Sequence, residues 1–375
     1  MSIGVAVLGS TGSIGTAALR VLARQRERFR VVALTAHASA DLLERQARET
    51  GAPFVGLVQG NAGRNRRWPV GPGCLVEAAT HPGIEIVINA IVGAAGLPAT
   101  LAALRAGKRV ALANKETLVM AGELVLCAAR EGRGEIVPID SEHSAVLQCM
   151  ASAGGRALRR LILTASGGPF REWTPERVAR ATVAEALNHP TWRMGPKITV
   201  DSATLANKAL EVIEGHFLFG LPYDGIEVVL HPQSVIHALT EFADGSVLAQ
   251  LGFPSMELPI LYALTHPERL PDDGVRRFDP VAASPLTFEP LAPGRFPTFD
   301  LGVAAGRKGG TGAAVFNAAN EVAVQAFLAG RVRFGAIGET IDAVLQAHQV
   351  QPAKALEDVL AADRWARERA EARCS

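Results

Sequence analysis

The sequence predicts an α/β protein with an N-terminal doubly wound parallel sheet, a central α+β domain and a small helical C-terminal domain. Up to residue 139, short apolar runs alternate with helical stretches, which is typical of a parallel sheet covered on both faces. Further along, the turn dipeptide Asp244-Gly245 between two apolar runs indicates a hairpin. Proline-rich sequence and then helical periodicity follow it.

The elements follow in order. Apolar runs predict N-terminal strands at residues 3–9, 29–35, 85–90 and 108–113. The first helix is expected to extend to Arg28, and later helices are expected at residues 97–106 and 117–130. Central strands are predicted at residues 161–164 and 227–230, and the hairpin strands at residues 235–241 and 246–251.

The third part begins after a proline-rich stretch at residues 266–298, which predicts a linker because proline resists regular structure. Helical periodicity then covers residues 312–330, 336–348 and 353–373. The predicted domain boundaries are therefore 1–139, 140–265, 266–298 for the linker, and 299–375.

Composition narrows the possible classes of protein. The chain has 375 residues, 48% of them hydrophobic, and a formal net charge of +1, which argues against a nucleic-acid binder. Cys74, Cys127, Cys149 and Cys374 form no C-x-x-C pair, so we expect reduced thiols. No apolar run is long enough to cross a bilayer and the first strand begins at Ile3, so we expect a soluble, cytoplasmic protein.

A glycine-rich turn, GSTGSIG at residues 9–15, joins the first strand to the first helix. Small residues here let a dinucleotide pyrophosphate approach backbone amides at the helix N-terminus, so a Rossmann-like nucleotide site is predicted. The alternative is a tight turn without a ligand. At the end of the second strand, His37-Ala38-Ser39 includes no acid, which favours NADP over NAD, although no Arg or Lys stands there to bind a 2′-phosphate.

Three acidic residues occur in two short polar segments. Asp140 and Glu142 stand two residues apart at a strand end, so both side chains can point the same way. Glu211 lies four residues after Asn207, on the same helix face. An oxygen-only ligand set suits Mg²⁺ or Mn²⁺, so we predict a divalent-cation site; the alternative is a set of surface acids or helix caps.

Neighbouring residues suit a phosphorylated substrate, since Ser, Asn and Lys side chains flank the acids. The segment Asn114-Lys115-Glu116 follows a strand and opens a helix, where open α/β sheets bind ligands. We expect Lys115 to contact substrate, although it could be a solvated lysine and Asn114 a simple N-cap.

Two loops have both a functional and a structural interpretation. Ser166-Gly167-Gly168 could form an oxyanion cradle, but a simple Gly-Pro turn is the preferred interpretation without other motifs. The loop at residues 188–196 could be a lid in which Trp192 excludes water and His189 reaches a phosphate. The alternative for that loop is a packed connection with Trp192 in the core.

Taken together, these features closely resemble the 1-deoxy-D-xylulose 5-phosphate reductoisomerase family. The stretches that carry the resemblance lie between residues 9 and 321: GSTGSIG, AIVGAAGLPATLAALRAGK, LANKETLV, PIDSEHSAVLQ, LTASGGPFR, HPTWRMGPKITVDSATLANKALEVIE, HPQSVIH, DGSVLAQLG and FNAANE.

The resemblance implies a homodimeric enzyme of non-mevalonate isoprenoid biosynthesis. It would convert 1-deoxy-D-xylulose 5-phosphate to 2-C-methyl-D-erythritol 4-phosphate, using NADPH and Mg²⁺ or Mn²⁺. Residues 1–139 would bind NADPH, and residues 140–265 would provide the catalytic site and the dimer interface. A cleavage-and-recombination route (retro-aldol, then aldol) followed by hydride transfer is the chemistry we favour.

The implied site residues fall into four groups. The metal ligands would be Asp140, Glu142 and Glu211, and Lys115 would join them as catalytic residues. Substrate contacts would be Lys115, Ser141, Glu142, Ser166, His189, Trp192, Ser202, Asn207, Lys208, Glu211 and Ser234. Cofactor contacts would be Thr11, Gly12, Ser13, Ile14, His37, Ala38, Ser39, Asn114, Glu116, Gly195 and Met256.

The sequence departs from the family pattern in three places, none of which is a predicted metal or phosphate ligand. His37-Ala38-Ser39 stands where the family usually has a Gly-Lys-Asn-like trio. Glu257 replaces a basic residue, and Pro196 stands where a basic residue is frequent.

Two rival functions remain. Another NADP-dependent dehydrogenase, acting on a semialdehyde or a different sugar phosphate, would need no metal. A non-catalytic nucleotide sensor would have no use for three clustered acids or for Lys115.

Overall fold

The computed structural model describes residues 2–60, 68–153 and 158–375. Its strands are β1 (Ile3–Leu8), β2 (Phe29–Ala36), β3 (Phe54–Leu57), β4 (Ile86–Asn89), β5 (Arg109–Leu112), β6 (Glu135–Pro138), β7 (Leu158–Ala165), β8 (Ile226–Leu230), β9 (Ile236–Phe242), β10 (Val247–Leu251) and β11 (Glu289–Pro290).

The helices complete the element order. They are α1 (Ser13–Arg24), α2 (Ala40–Thr50), α3 (Gly73–Thr80), α4 (Leu97–Arg105), α5 (Lys115–Gly132), α6 (Ser141–Ala153), α7 (Pro175–Val178), α8 (Val183–Ala186), α9 (Pro196–Thr204), α10 (Ala206–Phe219), α11 (Glu257–Thr265), α12 (Pro280–Ala283), α13 (Pro297–Lys308), α14 (Gly312–Leu328), α15 (Ala336–Ala347) and α16 (Leu356–Cys374). Within these described ranges, no helix is both long enough and apolar enough to cross a membrane.

The N-terminal sheet confirms the predicted doubly wound architecture. Its strands in the described residues are all parallel, in the order β3-β2-β1-β4-β5-β6. Central strand β1 is apolar on both faces, and Val5, Ala6, Val7 and Leu8 are fully buried. Because the strands are parallel, their carboxyl ends share one edge of the sheet, and ligands bind at that edge in such folds.

The second sheet is mixed, in the order β10-β9-β7-β8-β11. Strands β7 and β8 are parallel, whereas β9 runs antiparallel to both β7 and β10. The predicted hairpin between β9 and β10 is confirmed: Gly245 has a φ of +85°, and the Ser246 amide donates to Asp244 Oδ1 at 2.9 Å.

The C-terminal region is helical, as the sequence predicts. Its helices α14 to α16 bury Phe316, Phe327 and Ile341.

The chain divides into two compact units that do not follow sequence order. The first comprises Met1–Thr117, Glu123–Ser144 and Ser255–Arg276, and the second comprises Leu118–Gly122, Ala145–Pro254 and Arg277–Ser375. Helix α11, predicted as part of the central domain, therefore belongs to the first unit, as does the first part of the predicted linker. The second part of that linker includes β11, which pairs with β8. The central α+β region and the C-terminal helices share the second unit.

Ion pairs link residues 255–276 to α1 within the first unit. Glu257 accepts from Arg20 Nε at 2.8 Å and from Arg24 Nη2 at 2.6 Å, and both arginines lie on α1. Asp272 accepts from Arg24 Nε at 2.6 Å. Glu257, which departs from the family pattern, thus has two cationic partners.

Helix α1 itself ends four residues earlier than predicted, because the Gln25 carbonyl accepts the amides of Arg28 and Phe29 in a turn.

We expect Asp272→Ala to lower the apparent Tm. The Asp272 side chain is fully buried, pairs with Arg24 and accepts the Gly274 amide at 2.8 Å. Losing these bonds should cost about 1–3 kcal/mol, and each kcal/mol lowers Tm by about 2–4 °C in a compact unit of roughly 150–250 residues. The exposed neighbour Asp273 provides a matched control, and Asp273→Ala should leave Tm unchanged. Equal Tm values for the two variants would contradict this account of the α1 contact.

Candidate active site

The glycine-rich turn after β1 is tight and fixed on two sides. Gly9 has a φ of +80°, and the Gly9 and Ser10 amides donate to the Thr35 carbonyl at 3.0 and 2.8 Å. Ser10 Oγ donates to Gln46 Oε1 at 2.7 Å, which ties the turn to α2. A Cβ atom on Gly15 would lie 2.3 Å from the Gly9 carbonyl oxygen, so only glycine fits there.

The N-terminus of α1 begins within the glycine-rich turn. Gly12 occupies the N-cap position, and no side chain in the described part of the chain caps the helix. Gly12 and Ser13 are exposed, and Thr11 and Ile14 are half-buried. Backbone amides in this arrangement suit the pyrophosphate of a dinucleotide.

The segment His37-Ala38-Ser39 lies exposed between β2 and α2. Because β1 and β2 are adjacent and parallel, the carboxyl end of β2 lies beside the glycine-rich turn. The structure therefore places these residues where a dinucleotide ribose would be recognised.

Asn114 does more than the simple N-cap that was the alternative interpretation. It is the N-cap residue of α5, but its Nδ2 donates to the Ile91 and Gly93 carbonyls and to Glu116 Oε2, each at 2.9 Å. This buried amide fixes the loop after β4 against the start of α5. A Cβ atom on Gly96 would lie 2.7 Å from Asn114 Oδ1, so the fit is close.

Asn89, at the end of β4, supports the same loop and was missed by the sequence interpretation. It is fully buried, and its Nδ2 donates to Thr100 Oγ1 at 2.8 Å and to the Gly96 carbonyl at 3.2 Å. A polar residue that closes a buried parallel strand was the available signal.

Lys115 and Asp140 form an ion pair at the edge of the first sheet. Their side chains are only 8% and 11% exposed, so Lys115 is not a solvated lysine. Burial opposes the charged form of Asp140, but Lys115 and then His143 hold the pKa of its carboxyl well below the usual range. Next along α6, Ser141 Oγ donates to Glu142 Oε2 at 2.5 Å.

In the second unit, His189 bridges two serines. Its Nε2 lies 3.0 Å from Ser166 Oγ and 3.1 Å from Ser202 Oγ. Its Nδ1 accepts the amides of Thr191 and Trp192 at 3.1 and 2.9 Å. Because Nδ1 is an acceptor, the neutral ring carries its proton on Nε2. Burial lowers the pKa of His189, which also favours the neutral form.

The turn at Ser166-Gly167-Gly168 packs against the end of α9. Both glycines have positive φ, +82° and +64°, and the Gly168 amide donates to Ser166 Oγ at 3.1 Å. A Cβ atom on Gly168 would lie 2.8 Å from the Ser202 carbonyl oxygen. The turn thus directs the Ser166 hydroxyl towards His189; its use as an oxyanion cradle stays a prediction.

Helices α9 and α10 meet at a corner formed by Leu205. Leu205 is buried and has a φ of +56°, a conformation that costs a non-glycine residue about 1–3 kcal/mol. After this corner, Asn207 Nδ2 donates to Glu211 Oε1 at 2.5 Å and Lys208 pairs with Glu211 Oε2. Glu211 is 1% exposed, so it is neither a surface acid nor a cap.

The donor chemistry of these carboxylates fits a hard divalent cation. Asp140 and Glu211 each accept a lysine ammonium group in an ion pair. The predicted ligand atoms are all carboxylate oxygens, which Mg²⁺ and Mn²⁺ prefer.

The remaining predicted residues lie in loops and at helix ends. Trp192 is half-buried, with its ring 6.3 Å from that of His237, so it is not in the core. Gly195 is the N-cap residue of α9. Ser234 is buried with a φ of +51°, and Met256 directly precedes α11 in the first unit.

Sequence models of one family match three parts of the chain. Residues 5–122 match 1-deoxy-D-xylulose 5-phosphate reductoisomerase, and residues 136–219 match the C-terminal domain of 1-deoxy-D-xylulose 5-phosphate reductoisomerase. Residues 251–369 match the DXP reductoisomerase C-terminal domain. The chain belongs to the 1-deoxy-D-xylulose 5-phosphate reductoisomerase family. The resemblance drawn from the sequence is thereby confirmed.

Individual reductoisomerases align along nearly the whole chain. The enzyme of Synechococcus sp. is 49% identical, covering 97% of this chain and 95% of its own length. That of Mycobacterium avium is 51% identical, covering 98% and 92%. A solved reductoisomerase of Zymomonas mobilis in complex with NADPH matches with a TM-score of 0.91 and 40% identity, covering all of both chains. A DOX-P reductoisomerase structure with NADPH, fosmidomycin and magnesium has a TM-score of 0.90 and 39% identity, covering 99% and 98%.

Proposed function

We propose that this chain catalyses the reaction of its family, the NADPH- and divalent-metal-dependent conversion of 1-deoxy-D-xylulose 5-phosphate to 2-C-methyl-D-erythritol 4-phosphate. The buried Lys115–Asp140 pair, at the edge of the sheet that also carries the glycine-rich turn, is the observation that supports it most. A nucleotide sensor would gain nothing from burying this pair. Complexes of solved relatives with NADPH and with magnesium point to the same cofactors.

Asp140, Glu142 and Glu211 are the proposed ligands of the cation, Mg²⁺ or Mn²⁺. A bound cation would act as a Lewis acid on the carbonyl and hydroxyl oxygens of the substrate. Lys115 and Ser141 would contact the same end of the substrate, with the Lys115 ammonium stabilising negative charge on the substrate oxygen during reduction. Ser141 also orients Glu142 through its hydrogen bond.

NADPH would supply the hydride. The turn residues Thr11, Gly12, Ser13 and Ile14 are proposed to bind its pyrophosphate at the N-terminus of α1. The segment His37-Ala38-Ser39 is proposed to contact the adenosine ribose and its 2′-phosphate. Asn114, Glu116, Gly195 and Met256 complete the proposed set of cofactor contacts.

The phosphate of the substrate would be bound in the second unit. Ser166, Ser202 and His189 already share hydrogen bonds, and the neutral His189 offers an Nε2–H donor. Asn207 and Lys208 follow on the first turn of α10, and Lys208 supplies positive charge. Ser234 and Trp192 are proposed to line the remainder of the substrate site, with Trp192 on a loop that excludes water.

We expect Gly168→Ala to weaken phosphate binding. The new Cβ atom would meet the Ser202 carbonyl at 2.8 Å and displace α9 or the Ser166 turn. A misplacement of about 1 Å can cost ~10²-fold in activity, so we expect a KM for 1-deoxy-D-xylulose 5-phosphate at least about tenfold higher. Gly245→Ala is the matched control, because Gly245 also has a positive φ but no atom lies within 4 Å of the position that its new Cβ would take. A KM equal to that of the control would contradict the proposed contact.

The proposed reaction is tested by following NADPH absorbance with purified protein and 1-deoxy-D-xylulose 5-phosphate, with and without EDTA. We expect oxidation of NADPH that EDTA abolishes and that added Mg²⁺ or Mn²⁺ restores. Turnover that is insensitive to EDTA would favour a metal-independent dehydrogenase. An absence of turnover, together with retained NADPH binding, would favour a nucleotide sensor.

We further propose that the protein is a cytoplasmic homodimer, with its dimer interface within residues 140–265. Light scattering on the eluting protein should give twice the mass of one chain. A mass equal to one chain at assay concentrations would contradict the dimer.

A further inference from the structure

A buried polar cluster adjoins Ser202 of the proposed phosphate site. None of the residues in this cluster is among the proposed substrate contacts. Asp201, on α9, is 1% exposed and precedes Ser202. Its Oδ2 lies 2.8 Å from Lys197 Nζ, one helical turn earlier. Its Oδ1 accepts from Asn320 Nδ2 at 2.9 Å, and Asn320 lies on α14, 119 residues away. Asn320 is fully buried. We call Lys197, Asp201 and Asn320 the α9–α14 bracket.

The bracket is connected to the strained corner between α9 and α10. The Asp201 carbonyl accepts from Thr204 Oγ1 at 3.2 Å, and Thr204 Oγ1 in turn accepts the Ala206 amide at 3.2 Å. Leu205, between them, has a positive φ that favours glycine. A strained residue of this kind persists only where its surroundings determine the local backbone. The bracket supplies such a determinant, because it fixes the last turns of α9 to a helix of the C-terminal region.

The Leu205 corner sets the relative positions of the proposed phosphate-binding side chains. Ser202 lies before it, with its hydroxyl 3.1 Å from His189 Nε2. Asn207 and Lys208 lie after it, on the first turn of α10. A small rotation of α9 about the corner would move Ser202 relative to the other two residues.

We propose that Asn320 and Asp201 are positioning residues for substrate phosphate, which they hold in register through the Leu205 corner without touching it. This inference rests on the proposed function of the same site. It assigns the C-terminal helix α14 a part in substrate affinity, although none of the predicted contacts lies on that helix. It also gives a role to the FNAANE stretch, which includes Asn320.

The chain offers a matched control for testing Asn320. Asn317 lies one turn earlier on α14 and is also fully buried, but its Nδ2 donates to Glu321 Oε1 of the same helix, at 2.9 Å. Asn320→Ala and Asn317→Ala therefore each remove a buried amide from α14. Of the two, only Asn320→Ala removes the hydrogen bond that joins α14 to Asp201 of α9.

Steady-state kinetics with inorganic phosphate as a competing probe would test the proposal. For Asn320→Ala we expect the KM for 1-deoxy-D-xylulose 5-phosphate and the inhibition constant of phosphate to rise together by about tenfold or more, since misplacements near 1 Å cost up to ~10²-fold. The KM for NADPH should stay within about twofold of wild type. Asn317→Ala should change none of the three constants by more than about twofold, whatever its effect on Tm.

An exchange variant tests the geometry directly. In Asp201→Asn combined with Asn320→Asp, the new amide can donate to the new carboxylate and still accept from Lys197, so the bracket is rebuilt with the same total charge. We expect the inhibition constant of phosphate to return to within about threefold of wild type. A folded exchange variant that stays as weak as Asn320→Ala would contradict the proposal.

The outcomes separate this inference from the proposed function. Equal phosphate inhibition in Asn320→Ala and Asn317→Ala, in an active wild-type enzyme, would overturn the positioning role and leave the reaction intact. Equal rises in both KM values would also overturn it, because they would indicate general damage. A wild-type protein that neither turns over the substrate nor binds phosphate would instead overturn the proposed function.

Discussion

Glu211→Gln should lower kcat by at least ~10³-fold. Removing a charged ligand weakens the binding of the cation that stabilises the developing negative charge. Glu211 is 1% exposed and accepts from both Asn207 and Lys208, so it is held in one position within α10. Glutamine has the same shape and can still accept from Asn207, but it carries no charge. The measurement is NADPH oxidation at saturating substrate and Mg²⁺.

A binding measurement separates this effect from loss of fold. NADPH should bind the variant as it binds wild type, since Glu211 is not among the proposed cofactor contacts. Near wild-type turnover in Glu211→Gln would mean that its carboxylate is not a metal ligand.

Lys115→Met should lower kcat by ~10²–10³-fold, the usual cost of removing one group that stabilises charge in a transition state. Lys115 is buried in its pair with Asp140 at the start of α5, so its ammonium is fixed before substrate arrives. Equilibrium titrations with NADPH and with Mn²⁺ should show that both still bind, because methionine keeps an unbranched chain, one atom shorter than lysine, and leaves the carboxylate of Asp140 available.

Lys115→Arg is the informative comparison for this prediction. It keeps the positive charge but changes the shape of the donor, so its kcat should fall between those of Lys115→Met and wild type. If Lys115→Met were to retain kcat within a few-fold of wild type, Lys115 would have a structural role only.

Strands, turns and helices that depend only on their own residues were predicted well from local sequence patterns. The buried strand β1, its glycine-rich turn and α1 could be read from one continuous segment, because each element follows from the pattern of its own residues. The Asp244-Gly245 hairpin followed in the same way. The same logic placed Asn207 and Glu211 on one helix face, where the structure joins them by a hydrogen bond.

Features that depend on distant partners could not be predicted. Helix α11 packs in the first unit, where its Glu257 pairs with Arg24, 233 residues away, and no local pattern reports that pair. The bond between Asp201 and Asn320 is similar, since both residues read as ordinary polar positions within helices. Leu205 gave no signal either, because leucine rarely adopts a positive φ and is held there by its surroundings.

The prolines between residues 266 and 298 gave a partly different outcome. Proline does limit regular structure there, but a short helix, Pro280–Ala283, and the edge strand Glu289–Pro290 still form. Pro290 is tolerated because β11 lies at the edge of its sheet, where proline need not donate a ladder hydrogen bond.

We propose that Asp140, Glu142 and Glu211 together bind one divalent cation. Titration with Mn²⁺, followed by electron paramagnetic resonance of the free ion, measures this without turnover. We expect one tight site per chain in wild type, and a large loss of affinity in each of Asp140→Asn, Glu142→Gln and Glu211→Gln. Asp224→Asn, which changes an exposed acid of the second unit, should bind Mn²⁺ as wild type does. Unchanged Mn²⁺ affinity in any one of the three site variants would contradict the claim.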